Sequence, residues 1–164
     1  MKLRLNHQGD FLDEWPAGFF EERFDELLLS DRVAVDDLAT NESYGACELA
    51  DLEGLTALAG QVDAVVHLGG LVGAEYIFED ILEPNVIGTR NLLEAARLSG
   101  VRRVVYASSH HVVGFTPRGE PLDHRAALRP NGEYAVSKVY GEAAASYYAD
   151  NFGLEILSIR IGYV

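Results

Sequence analysis

Cysteine occurs once in this sequence, at Cys47, so the chain holds no internal disulfide and its fold must rest on packing. Lysine is almost as scarce: Lys2 and Lys138 are the only two, in a chain that otherwise takes its positive charge from arginine. Positive charge as a whole is short, with thirteen basic against twenty-six acidic side chains and a formal net charge of -13. Such a surface repels nucleic-acid phosphates and anionic membranes at long range, which argues against both as partners. No apolar run reaches the roughly 18 to 20 residues that a membrane span needs, and the N-terminus carries no long apolar stretch of the export type. Zinc-ligand spacing is lacking as well. These absences predict a soluble, unexported protein of a reducing cytoplasm.

What remains is an ordinary globular composition: 164 residues, 48% hydrophobic and 24% charged, enough for one sizeable core and too little for two full domains. The carboxylates are spread along the chain and not massed in a tail, as on a solvated surface. From about residue 63, short β-branched runs alternate with helical patterns, the signature of a parallel sheet with helices on both faces. Asp63–Leu68 and Arg103–Ser108 read as strands, with a helix over Asn85–Ser99 between them that Gly100 caps. A loop from Thr116 to Asn131, a helix from about Gly132 to Asn151 ending near Gly153, and a strand over Glu155–Arg160 form a second unit. The first sixty residues are plainer. Glu26–Ser30 predicts a strand, Tyr44–Glu48 a short one and Leu52–Leu58 a short helix, while Met1–Leu5 can start the sheet but is followed by no helical start.

Chemistry gathers in two places. Tyr134-Ala-Val-Ser-Lys138 sets a phenol and an ammonium four residues apart on one helix face. A nearby ammonium favours phenolate over phenol, so the tyrosine can take a hydroxyl proton near neutral pH, and the lysine can also hold a cofactor ribose. A compact ammonium at Lys138, in an arginine-using chain, suits that task better than a guanidinium would. Ser108-Ser109-His110-His111 follows a buried strand at the carboxyl edge, where open α/β sheets bind ligands. Small hydroxyl residues also end strands and cap turns, so this segment has a plain structural use too. The paired histidines point to opposite sides of an extended chain and have no evident carboxylate partner, so no metal is expected.

Taken in order, His67-Leu-Gly-Gly70, Asn85-Val-Ile-Gly-Thr89, Ser108 through Gly114, Tyr134-x-x-x-Lys138 and Arg160-Ile-Gly162 resemble the extended short-chain dehydrogenases/reductases, also called the NAD-dependent epimerase/dehydratase family. The resemblance covers about residues 26–164. Within the family, Cys47-Glu-Leu-Ala-Asp51, Ala107 through Phe115 and Leu157 through Gly162 look most like the uronate dehydrogenases, which oxidise the anomeric carbon of hexuronic acids to a lactone. The fold implied is a Rossmann-like doubly wound parallel sheet.

Carried over by position, the resemblance implies that Tyr134 is the base, Lys138 its electrostatic aid and ribose ligand, and Ser109 the hydroxyl that orients substrate. It places His110, His111 and Tyr163 beside the substrate as well. His110 stands where asparagine is usual, and Tyr163 where the uronate enzymes have a small hydroxyl residue. On the cofactor side it implies Asp31, Glu48, Leu49, Leu68, Gly69, Gly70, Asn85 and Ile161. Asp31 would accept hydrogen bonds from the adenosine ribose and disfavour a 2′-phosphate, so NAD is expected over NADP, with Arg32 as the feature pointing the other way. Read singly, Asp31 is also a turn residue, Asn85 a helix cap and Gly69-Gly70 a loop.

The ends depart from the pattern. Family members begin with a strand, a G-x-x-G-x-x-G turn and a helix whose N-terminal amides bind pyrophosphate. The corresponding stretch here has only Gly9 and Gly18, with Asp10, Asp13 and Glu14 between them, and carboxylates there would repel phosphates. Residues 1–25 therefore read as an atypical segment and 26–164 as a partial NAD-binding domain. The resemblance restarts near Phe24, as a frame shift or a substituted N-terminus would leave it. The sequence ends after Arg160-Ile-Gly-Tyr-Val164, before the segments, including a substrate-pairing arginine, that close the pocket in the family. Three functions follow: a hexuronate dehydrogenase, a nucleotide-sugar epimerase or dehydratase using NAD as a transient hydride store, and a catalytically impaired remnant or interaction domain. The first two take a sugar acid or a nucleotide sugar, and the family's paired helices near Asn85 and Gly132 imply a homodimer.

Overall fold

Residues 2–6, 24–34, 38–73 and 75–162 are described by a computed structural model. Gly9, Asp10, Asp13, Glu14, Gly18 and Tyr163, singled out above, lie outside the described residues.

The described residues form one six-stranded sheet: β1 (Lys2–Asn6), β2 (Glu26–Ser30), β3 (Glu42–Tyr44), β4 (Ala64–His67), β5 (Arg103–Ser109) and β6 (Glu155–Ile161), of which only the last three carry β-branched residues. The strand order is β3-β2-β1-β4-β5-β6, and every neighbouring pair is parallel. This is the doubly wound Rossmann-like order, whose direction of travel reverses between β1 and β4. The boundary read at residue 26 falls between β1 and β2, so the sheet takes strands from both sides of it.

Among the described residues four α-helices follow the strands: α1 (Leu52–Ala59), α2 (Phe78–Ile81), α3 (Gly88–Ser99) and α4 (Glu133–Phe152). Strand neighbours point to opposite faces, and the core divides accordingly. Val65 and Val104 meet Leu55, Leu92, Leu93, Ala96 and Tyr148 under α1, α3 and α4. Each such large apolar side chain, fully buried, contributes roughly 1.5–3 kcal/mol. Ala64, with Leu27 and Leu29, faces the other way into a smaller cluster that Phe24, Tyr44 and Val66 border. The expected helix caps are present: Gly100 and Gly153 both adopt the left-handed conformation, with φ of 82° and 72°.

Two elements differ from the sequence reading. The strand expected over Tyr44–Glu48 is instead Glu42–Tyr44. Tyr44 ends it because its hydroxyl turns back to donate to the Asp31 and Val33 carbonyls (2.6 and 3.0 Å). The backbone N–H groups of Gly45 and Cys47 still donate to Leu29 and Asp31 carbonyls along the same edge. The helix expected from Asn85 begins earlier, at Phe78, and runs through Pro84. Proline has no N–H to donate and clashes with the carbonyl one turn back. The chain accommodates it with a π-helical turn over Leu82–Ile87, closed by a bond from Gly88 N–H to the Glu83 carbonyl.

A polar clasp joins α3 to α4 at the end away from Tyr134. Arg97 donates to both oxygens of Glu94 (2.9 and 2.7 Å), and the Tyr148 hydroxyl donates to Glu94 Oε2 (3.1 Å). The Arg97 hydrogen bonds pull the Glu94 carboxyl down to about 2, burial opposing them, and burial with the Glu94 charge pushes the Tyr148 phenol up to about 12. A carboxyl held below its unfolded value stabilises the fold fully above about pH 4.5 and loses that contribution as pH falls toward 2. Because the pair is partly solvated, the loss should be about 1 kcal/mol. Urea titrations at pH 6 and pH 3 should show a steeper acid loss for the wild type than for Glu94→Gln. Equal slopes would mean that the clasp contributes nothing.

Among the described residues no helix is long and apolar enough to cross a membrane, and no group of three His, Cys, Asp or Glu side chains is placed to hold a metal ion.

Candidate active site

The polar residues that the sequence singled out gather at the carboxyl ends of β4 and β5. Ser109 is the last residue of β5, and its hydroxyl accepts the His111 backbone N–H (3.2 Å), starting the 3-10 turn His110–Val113. Across from it lies α4, whose residues 134, 138 and 142 recur every four positions and so form one row toward the sheet. Tyr134 stands in its first turn, half-buried, with its ring edge-on to the His111 ring at 6.1 Å.

Lys138 is only 3% exposed, and its ammonium donates to the Ala107 carbonyl on β5 (2.9 Å). It lies 5.2 Å above the Tyr106 ring and 5.7 Å from the Tyr134 ring, favourable positions for a cation at an aromatic face. Burial lowers its pKa from 10.5 to about 8. Burial also raises the Tyr134 phenol above its ordinary value, and a hydrogen bond with Ser109 pulls the other way. The sequence led us to expect the lysine to dominate the phenol. In the folded chain its proton-bearing nitrogen is committed to a strand carbonyl, and desolvation is the larger influence on the tyrosine.

Glu142, one turn beyond Lys138, fastens this helix to the sheet. It accepts from the Ser108 hydroxyl (2.6 Å) and, through both oxygens, from the Arg160 fork on β6 (2.9 and 2.8 Å). Burial pushes its carboxyl up, but the Arg160 and Ser108 bonds outweigh it and hold the group below its ordinary value. A bidentate guanidinium–carboxylate pair adds direction as well as energy, so the tie fixes how far along β5 the Tyr134 and Lys138 side chains sit.

Asn85 has a comparable job at the other end. Its side chain accepts from Leu71 N–H (2.8 Å) and donates to the Leu71 carbonyl and the Ser137 hydroxyl (2.9 and 3.1 Å). Ser137 in turn donates to the Tyr134 carbonyl (2.7 Å). The buried Asn85 therefore links the loop after β4 to α4, and its amide is occupied by protein partners. His110 turns to β6, with Nδ1 at 3.1 Å from the Ile161 carbonyl. Its ring packs on that of His111 at 4.1 Å instead of pointing to the opposite side as expected, because the pair lies in a 3-10 turn and not on extended chain. Ile161 is paired in register with Ser109.

Asp31 follows β2, with Oδ1 accepting the Val33 N–H (3.1 Å). Glu48 is exposed nearby in the segment after β3, whereas Leu49 is a core residue whose side chain packs on Gly88 and whose carbonyl receives the Asn91 amide. Leu68, Gly69 and Gly70 continue from β4. Ser109, His111, Tyr134 and Lys138 thus come together around the end of β5, while Asp31 follows β2, three strand positions away, and Glu48 follows β3, four away. Sequence reasoning missed Glu142 and Ser137. The four-residue spacing Tyr134, Lys138, Glu142 was a signal that could have found the first.

Known proteins match this chain in sequence and in fold. The family model described as "NAD dependent epimerase/dehydratase family" matches residues 25–164. A uronate dehydrogenase of Pseudomonas putida is 46% identical over 155 residues, 94% of this chain and 56% of that protein. A glucuronic acid dehydrogenase structure from Chromohalobacter salexigens superposes with a TM-score of 0.91 at 37% identity, over 99% of this chain and 60% of that one. A tyrosine-to-alanine variant of the uronate dehydrogenase from Agrobacterium tumefaciens, complexed with NAD, gives 0.82 at 37% identity, over 94% and 58%. The chain thus spans a little over half the length of these relatives.

Proposed function

The chain belongs to the NAD dependent epimerase/dehydratase family, and on that footing we propose that it serves the oxidation of a hexuronic acid at its anomeric carbon, giving the lactone, with NAD as cofactor. The observation that carries the reading is the meeting of a hydroxyl, an imidazole and a phenol, from Ser109, His111 and Tyr134, over the end of β5. In this reading Tyr134 takes the proton of the anomeric hydroxyl, and Ser109 holds the same oxygen by a hydrogen bond. Lys138 stabilises the developing phenolate through its field, and His111 binds the sugar.

The residues present fit a dinucleotide at two points. Gly70, at φ 132°, has the Asn85 amide packed where a Cβ would stand, so the loop after β4 is pared to backbone beside the site. Asp31 keeps a second carboxylate oxygen beyond its Val33 bond, suited to a ribose hydroxyl. The residues that would meet the pyrophosphate fall within 7–23, outside the described set. Bound NAD supplies the hydride acceptor.

A homodimer accompanies this reading. Val136, Tyr140 and Tyr147 lie exposed along α4, as do Ile87 and Leu98 on the α3 side, an apolar face suited to a second copy.

The test is NADH formation on mixing the chain with NAD and galacturonate or glucuronate. Uronate-dependent NADH is the expected result. Turnover of a nucleotide sugar without net NADH would replace the proposal with an epimerase or dehydratase. Failure to bind NAD in calorimetry, uncorrected by a grafted glycine-rich N-terminus, would favour an interaction domain.

A further inference from the structure

His111 carries two ring nitrogens, and which of them holds the proton decides what the ring can offer a ligand. Its Nδ1 lies 3.0 Å from the side-chain oxygen of Asn131, the second residue before α4. An amide oxygen can only accept, so that contact is a hydrogen bond only when Nδ1 carries the proton.

Two features hold the amide in place, and a third fixes the ring it meets. The Phe115 N–H donates to the Arg129 carbonyl and the Arg129 N–H to the Val112 carbonyl, both at 2.9 Å. These bonds pin the segment entering α4 against the 3-10 turn that carries His111. Gly114 supplies the space: a Cβ there would overlap the Asn131 amide. Its backbone is ordinary right-handed helical, with φ of -62°, so the position needs glycine for room and not for conformation. The Ser109 hydroxyl, accepting the His111 N–H, fixes the ring's own backbone.

We propose that Asn131 is a positioning residue, whose amide oxygen holds the His111 proton on Nδ1 so that Nε2 meets a sugar hydroxyl as an acceptor. The inference rests on the reading of His111 as a sugar ligand. It adds the residue that selects the ring's tautomer, and with it the donor or acceptor character of that part of the pocket. A neutral imidazole without such a partner populates both tautomers, and the molecules protonated on Nε2 would present a second donor to a hydroxyl that needs an acceptor. The recognised group is thus a hydroxyl oriented to donate, as on the ring of a sugar acid.

The experiment uses the whole chain with its histidines labelled with nitrogen-15. The His111 signals are identified by their loss in His111→Asn, and the protonated nitrogen is read from its shift and couplings. In the wild type His111 should be protonated on Nδ1. Asn131→Leu and Gly114→Ala should both release it to a mixture or to Nε2, and Asn131→Asp, which keeps an acceptor oxygen, should restore Nδ1. In uronate oxidation the first two should raise KM roughly tenfold with a smaller change in kcat, as expected for a group that binds ground state and transition state alike. A wild-type ring protonated on Nε2, or a tautomer unchanged in Asn131→Leu, overturns the proposal. If uronate is not oxidised at all, the function reading fails while the tautomer measurement still decides the role of Asn131.

Discussion

Lys138→Met should abolish turnover and at the same time make the protein harder to unfold. The loss of activity should be about 10^3-fold, the scale on which a positioned acid–base partner contributes, and Tyr134→Phe should match it. The gain in stability comes from the same burial that serves the chemistry. Lys138 is 3% exposed and its pKa falls from 10.5 to about 8. At neutral pH the folded chain therefore carries a charge that its surroundings disfavour by about 3 kcal/mol. Methionine fills a similar volume without charge, and forfeits the bond to the Ala107 carbonyl and the contacts with the Tyr106 and Tyr134 rings. The net gain should be about 1–2 kcal/mol, or roughly 3–6 °C in Tm for a chain of this size.

The pH dependence separates this from a generic packing effect. Below pH 8 both folded and unfolded states hold the lysine proton, and the burial cost is complete. Between 8 and 10.5 the unfolded chain binds more protons than the folded one, so wild-type stability rises with pH. The variant lacks that rise, and the difference in Tm between the two should shrink across this window. A variant less stable than wild type at every pH would refute the account.

Gly141→Ala should destabilise the fold by about 2–3 kcal/mol. An interior helical glycine replaced by alanine ordinarily gains roughly 1 kcal/mol, so the sign alone is diagnostic. Gly141 lies on α4 one turn after Ser137, and a Cβ there would overlap the Tyr106 ring and hydroxyl of β5. Tyr106 is 1% exposed and enclosed by the sheet and helix, leaving the ring little space to retreat. The helix would have to lift away from β5, and with it Tyr134 and Lys138 from Ser109. Removing the phenol oxygen in Tyr106→Phe should return part of the lost stability when combined with Gly141→Ala. Additive effects in urea unfolding would show that the two positions are independent.

Much of this site could be read before the fold was seen, because its elements are short-range. Ser109 follows a β-branched run, and Tyr134 and Lys138 share a face by spacing alone. Their meeting depends on a crossover that parallel strands make in one hand. The partners that hold them in place were harder to read. Glu142, Ser108 and Arg160 come from a helix and two strands, and nothing local says that a carboxylate will face a strand hydroxyl. Asn85 is expected from its motif to support the cofactor side, but nothing local tells that its amide is held by Leu71 and Ser137. Its helix starts at Phe78 and not at Asn85, because the chain takes up Pro84, a residue that usually marks a boundary, by widening one turn instead of breaking. The Tyr44 strand end depends on a side chain returning to Asp31, a tertiary bond without local signature.

The widened turn over Leu82–Ile87 does more than absorb a proline. A π-helical turn holds one residue beyond the α-helical count, which advances the angular phase of everything after it by about 100° relative to what precedes it. The buried Ile81 lies before that slip, and the buried Thr89, Leu92 and Leu93 lie after it. Asn85 sits within the slip itself, where neither phase dictates its direction, and it points across to Leu71 and Ser137. A continuously wound helix would have to choose between presenting its apolar stripe to the sheet and presenting that amide to the loop. The irregular turn lets a single stretch of chain keep both alignments, so the coupling between the loop after β4 and the helix bearing Tyr134 depends on one surplus residue.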